Sequence, residues 1–244
     1  MPEPHVPPNG PSASPSGPDT PPGGSDLSPS GLGASLGELG ASPGGLGELP
    51  SARLGGSRGS SGAARISPGG LREVGFANWT AAQIAGLVGG TTPPNLFLTL
   101  GRHRRLFRAW GRFGGRLMPR GILPRRETEL VILRVAHLRD CAYEYEHHVR
   151  LGRRAGVDSG DVARIAEGPA AFGWTARERA VLTAVDHMHA HGDLDDPAWA
   201  GLRRHLSPRE CIELCMLAAH YEMLATVITS LRIQPDPPRR RESR

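Results

Sequence analysis

No lysine occurs in the 244 residues, so every basic side chain other than histidine is an arginine. That absence excludes lysine Schiff-base chemistry, a pyridoxal phosphate anchor and a Walker A phosphate loop. Aromatic residues are scarce at 5%, and the only tyrosines are Tyr143, Tyr145 and Tyr221. Cysteine is sparse too: Cys141, Cys211 and Cys215 make an odd set, which argues against a disulfide framework. No run of about 18 apolar residues is present, so no transmembrane helix is expected. The opening MPEPHVPPNG has neither the basic nor the apolar region of a secretory signal. Together these absences predict a cytoplasmic protein with free thiols and no membrane partner. The formal charge of +5, with a pI near 9.8, is a modest excess spread along the chain and gives little support to nucleic-acid binding.

What the sequence holds in abundance is glycine (33) and proline (23), concentrated with serine in residues 1–70. A segment this poor in large apolar groups cannot bury enough surface to offset its ordering entropy, so a disordered tail is expected there. From Leu71 the pattern becomes helical. Asn78 or Thr80 is a candidate start for a short helix ending at Gly89-Gly90. In NLFLTLGRHRRLFRAWGRFGGRLM, residues Leu106, Trp110, Phe113 and Leu117 recur at helical spacing, with arginines between them. Basic and aromatic residues so interleaved suit single-stranded nucleic acid, but an amphipathic core helix accounts for them better, the aromatics on one face and the arginines on the other. Thr175 with Glu178, and Ser207 with Glu210, are capping boxes that open two later helices. No stretch alternates with a two-residue period, so the fold class is all-α. The domain runs from 71 to 237, with a basic tail at 238–244.

The stretch from Glu127 to Gly156, ETELVILRVAHLRDCAYEYEHHVRLGRRAG, carries the chemistry. Arg125 opens a first helix that ends near Leu138, with Glu129 on it. Asp140 is a candidate N-cap for a second helix, which ends at Gly156. Cys141, Glu144 and His148 are offset by three and seven residues and so share one face of that second helix. A cysteine at a helix N-terminus gains thiolate character from the backbone dipole. A carboxylate near a histidine fixes its tautomer and keeps it basic. The set is therefore either an activated thiol or a carboxylate–histidine proton-transfer site. A buried cysteine beside surface glutamate and histidine is the plainer alternative.

This stretch resembles the carboxymuconolactone decarboxylase family, which also holds the alkyl hydroperoxidase D-like proteins. Its motif is a glutamate, eleven residues, a Cys-x-x-Cys pair, three residues and a histidine. Here Glu129, Cys141 and His148 fall on motif positions, and Glu144 stands at the second cysteine. The flanks PPNLFLTLGRHRRL, LPRRETELVILRVA, HHVRLGRRAGV and WAGLRRHLSPRECIELCMLAAHYEMLATV extend the likeness over residues 71–237. The resemblance implies an alkyl hydroperoxidase D-like helical bundle, a homo-oligomer, and an enzyme with no cofactor acting on a small molecule. Without the second cysteine, the dithiol cycle of the peroxidase-like members lacks its resolving thiol. Decarboxylase or lyase-type acid–base chemistry on a small organic acid or lactone is then the expectation, with Glu129, Cys141, Glu144 and His148 catalytic. A peroxiredoxin-type activity through Cys141 is the runner-up, and a non-catalytic helical scaffold the third reading.

Arginines suit an anionic substrate, and Arg134 and Arg150 are candidates to hold it. Tyr145 falls near the Cys141–His148 face and is expected to line the pocket, while Tyr143 is expected to pack elsewhere and Tyr221 to be a core residue. Cys211 and Cys215 share a face of an apolar helix, which suits core packing. His187, His189 and His191 form an H-x-H-x-H run at a helix end. Without a third well-spaced ligand they read as a solvated terminus, and no metal is expected.

Overall fold

The computed structural model describes residues 62–89 and 91–237. Within them ten helices follow one another: α1 (Leu71–Val74), α2 (Phe76–Gly89), α3 (Asn95–Leu100), α4 (Arg104–Leu117), α5 (Arg125–Leu138), α6 (Ala142–Arg154), α7 (Ser159–Glu167), α8 (Ala176–His191), α9 (Asp196–Arg203) and α10 (Pro208–Leu231). No β-strand forms among the described residues, and the fold is all-α.

Helix α5 is the centre. Every residue from Glu127 to Ala136 is buried, which only a helix enclosed on all sides tolerates. α6, α7, α8 and α10 pack around it. Val131, Ile132 and Val135 join the main core with Val181, Val185, Leu214, Leu217 and Leu224, while Leu130 and Leu133 face a second cluster with Val157, Ile165, Trp174 and Leu182. Each such fully buried side chain stabilises the fold by roughly 1.5–3 kcal/mol. Among the described residues, α10 alone is long and apolar enough to cross a membrane; half of that span is buried, with Cys211, Leu214 and Leu217 in the core.

Both capping boxes form as expected at Thr175 and Ser207, and Asp158 caps α7 in the same way. Four expectations shift. α2 begins at Phe76, and the Asn78 side chain instead donates to the Val74 carbonyl at 3.2 Å. Asp140 does not cap α6. It takes φ +48° in the turn that closes α5, where the Cys141 N–H donates to the Ala136 carbonyl at 2.9 Å, so Cys141 itself occupies the cap position. The segment after Pro94 divides into α3 and α4, and on α4 it is Phe107 that is buried, while Leu106 and Phe113 are exposed. Finally, residues 62–70 hydrogen-bond to the helices, with the Arg65 N–H on the Leu231 carbonyl and the Gly69 N–H on the Leu98 carbonyl. The rest of the expected tail, residues 1–61, and the basic tail from 238 to 244 lie outside the described residues.

Arginine–carboxylate pairs fasten the elements around α5. Arg126 grips Asp161 and Glu178, Arg177 grips Glu127 and Glu210, and Arg134 holds Asp186 through two bonds of 2.7 and 2.8 Å. Burial would raise the Asp161 carboxyl, but the bonds from Arg126 and the Asp158 backbone more than offset it and hold it at about 2.

Candidate active site

Glu129 projects from the middle of α5 and is wholly buried, its Oε2 lying 2.7 Å from His148 Nδ1 on α6. Arg125, one turn earlier on α5, places Nη2 2.5 Å from Glu129 Oε1. Gly152 of α6 lies against this pair: a Cβ on it would be in ordinary contact with Glu129 at 3.6 Å and tight against Val157 at 3.3 Å. An Nδ1–H donated to the carboxylate leaves Nε2 as the histidine nitrogen available for proton transfer. The ring is also walled by Tyr221 of α10, edge-on at 5.2 Å.

Cys141 and Glu144 lie on the same face of α6 as His148, and all three are buried. Neither carboxyl oxygen of Glu144 has a hydrogen-bond partner at good geometry. Burial, reinforced by the charge of Glu222, pushes this carboxyl up to about 8, and the adjacent Cys141 thiol offsets only part of the rise. At neutral pH Glu144 is therefore mostly the un-ionised acid. Burial likewise pushes the Cys141 thiol up to about 12, with the Glu144 charge adding to it. This corrects the expectation of thiolate character: the backbone N–H of Glu144 favours the thiolate, but desolvation outweighs it. All three cysteines are free, and Cys211 packs in the core as expected.

A cavity of about 700 Å³ reaches Glu144 and His148. Its walls include Leu96, Phe97, Phe107, Trp110, Tyr143 and Tyr221. Glu129 and Cys141 are not among the lining residues; they stand behind His148 and Glu144. Two expected substrate contacts fall elsewhere. Arg134 is spent on Asp186 and on the Ile165 carbonyl, and Tyr145 turns to the second core cluster, its hydroxyl donating to the Val162 carbonyl at 3.2 Å. Arg150 is not a lining residue either; its Nη2 lies 3.2 Å from His147 Nδ1.

The residues that take their place are ones the sequence reading assigned to packing. Tyr143 lines the cavity, stacked on His147, and its hydroxyl donates to Asp236 at 3.0 Å. Tyr221 lines it from α10 with His220 and Leu224. The register that aims Tyr143 inward and Tyr145 outward follows from Cys141 capping α6, a detail no spacing rule supplies. At the far helix end, His189 Nδ1 sits 2.6 Å from Glu222 Oε1, and the His187 and His191 rings are 5.4 Å apart.

Comparison with known structures places the bundle first by fold. A 19%-identical peroxidase-related protein from Ralstonia eutropha JMP134, described as an alkylhydroperoxidase AhpD core, superposes with a TM-score of 0.62 over 71% of this chain and 94% of that one. The debrominase Bmp8 gives 0.61 at 18% identity, covering 70% and 91%. A peroxidase-related protein from Silicibacter sp. TM1040 gives 0.60 at 17%, covering 65% and 84%. At such identities the likeness is one of fold, and the fold is alkyl hydroperoxidase D-like. Residues 104–187, the part of the chain that holds Glu129, Cys141, Glu144 and His148, match the model of the carboxymuconolactone decarboxylase family. No curated protein matches the chain significantly. The matched family and the fold relatives both include proteins named as enzymes.

Proposed function

We propose that the protein is a carboxymuconolactone decarboxylase-family enzyme that performs acid–base chemistry, of decarboxylase or lyase type, on a small organic acid or lactone. The observation that supports this reading is Glu144: a carboxyl group without a partner, un-ionised near neutrality, on the wall of an apolar cavity and beside a histidine backed by a buried carboxylate. In a decarboxylation the carbon–carbon bond to the carboxylate breaks, carbon dioxide leaves, and the electron pair stays behind in an enolate-type anion. Glu144 donates the proton that quenches the anion at carbon, and His148 returns a proton to Glu144 from solvent. Glu129 holds the imidazole in the tautomer this relay needs. The largely apolar, aromatic inner wall suits the reaction because spreading charge from a carboxylate into an enolate is favoured away from water.

The same geometry disfavours a thiol cycle, since a thiol held at about 12 is almost entirely protonated at pH 7 and the thiolate is the nucleophile. Turnover of unsaturated lactone acids and keto acids, followed by release of carbon dioxide, tests the reading. His148→Gln is expected to lower kcat by about 100-fold or more, the usual worth of a positioned acid–base group. Cys141→Ser is expected to retain most activity. Equal loss in both variants, or peroxide reduction that depends on Cys141, contradicts it.

A further inference from the structure

Between Glu73 and Glu127 the sequence contains no acidic residue, while arginines recur through it. Three of them, Arg108, Arg112 and Arg116, lie at four-residue intervals on α4 and therefore along one face. That face borders the cavity: all three line it, as do Arg120 just beyond the helix and the glycines Gly111, Gly114 and Gly115 between them. This also corrects the expectation that the α4 arginines point away from its aromatics, since Trp110 lines the same cavity.

Six arginines elsewhere around these helices are engaged. Arg125, Arg126, Arg134, Arg139, Arg164 and Arg177 each hold a carboxylate. Arg112, Arg116 and Arg120 have no such partner among the described residues, and all three are exposed. The nearest acids are otherwise placed, Glu213 accepting the Ile122 and Leu123 N–H groups and Glu144 un-ionised on the cavity wall, so guanidinium groups gathered on this rim form a field that attracts anions and a fork that fits carboxylate or phosphate oxygens. Inward of them the wall is aromatic, and two of its ring nitrogens, Trp110 Nε1 and His220 Nδ1, are buried without partners.

Resting on the acid–base reading above, we propose that Arg112, Arg116 and Arg120 form an anion-anchoring subsite, which sets the substrate class. The substrate is amphipathic: a flat, apolar, unsaturated body occupies the aromatic chamber, and an anionic group stays at the rim and is not consumed. The anion is a carboxylate or a phosphate, both of which the guanidinium fork accepts. A substrate that loses one carboxylate at the Glu144 end thus carries a second anionic group at the other. Gly111 makes room for it, because a Cβ there would meet nothing within 4 Å.

The test is equilibrium binding to the full-length protein of three probes of one shape: 2-naphthoate, 2-naphthyl phosphate and neutral 2-naphthamide. Calorimetry is run at low and at moderate salt on wild type, Arg112→Gln/Arg116→Gln and the control Arg105→Gln, with circular dichroism to check folding. Arg105 is an exposed arginine of α4 outside the cavity lining. Anionic probes are expected to bind about 10-fold more tightly than the amide, as a charge-assisted bond implies. The preference should weaken with salt, vanish in the double variant and survive in the control. The stronger of the two anions reports which group the rim is built for. Equal binding of amide and anions, no binding of any probe, or a preference that persists in the double variant overturns the proposal. Assaying decarboxylation by the wild type alongside the titration separates the two readings. Anion preference in a wild type that decarboxylates no lactone acid or keto acid sinks the catalytic reading and leaves the rim standing.

Discussion

Glu127 and Glu129 are two residues apart on α5, both buried, yet they belong to opposite kinds of place. Glu127 enters a frame in which each acid has its arginine: Arg177 reaches it at 2.7 and 3.0 Å and also holds Glu210, while Arg126 joins Asp161 to Glu178. In that frame Asp161 and Glu210 are both held at about 2. Glu129 faces the cavity end, where Glu144 has no partner and is pushed to about 8, and Cys141 to about 12. The same residue types on the same helices are paired in the frame and left unpaired at Glu144, the pattern expected of a reactive group. The difference lies at Glu144 and not at Glu129, which keeps Arg125 and His148 as partners, whereas no arginine among the described residues pairs with Glu144.

The comparison can be broken most severely from the reactive side. Glu129→Gln should cut turnover on any substrate by about 100-fold or more, because it removes the group that fixes His148, while leaving thermal unfolding far less changed than that activity. From the frame side the effect is reversed. Asp161→Ala strips Arg126 of one of its two carboxylate partners and removes half of the α7 capping box, so chemical denaturation should show a loss of about 3 kcal/mol with little change in kcat for the protein that remains folded. Because the folded Asp161 carboxyl sits at about 2, below its ordinary 3.8, its stabilisation is complete above pH 4 and fades as the pH falls through 2.

Glu144 carries the opposite sign. Its folded-state pKa lies above the unfolded value of 4.5, so the native state binds the extra proton and stability drops as pH rises from 4.5 through about 8, then levels off. Glu144→Gln should abolish that slope, leaving the variant more stable than wild type at pH 9 by on the order of 4 kcal/mol relative to its standing at pH 5, read from melting curves across the range. The smallest effect belongs to the cavity rim: Gly111→Ala should stabilise the helix by about 0.5–1 kcal/mol, since the methyl group meets open space.

Much of this was legible in the sequence because helices announce themselves locally. The capping boxes at Thr175 and Ser207, the break at Gly156 and the span of α5 all follow from short patterns, and the Glu129–His148 pairing follows from the family motif together with helical spacing. What could not be read was anything decided by a neighbouring element. Tyr143 and Tyr145 have the same local surroundings, yet one lines the cavity and the other packs under α7, because the turn at Asp140 sets the rotation of α6. Arg134 was a reasonable substrate ligand until α8 presented Asp186 to it. The thiol of Cys141 illustrates the limit most plainly. Its place at a helix N-terminus is a sequence feature that favours thiolate, whereas its burial is a tertiary one that favours thiol, and the second dominates.

The protonation state of Glu144 is the point on which the catalytic account turns, and infrared difference spectroscopy of wild type against Glu144→Gln reads it directly. At pH 6.5 the wild type should show the carbonyl stretch of an un-ionised carboxylic acid that the variant lacks, and this band should convert to carboxylate with a midpoint near pH 8. A carboxylate already ionised at pH 6 would remove the acid from the cavity wall and contradict the account.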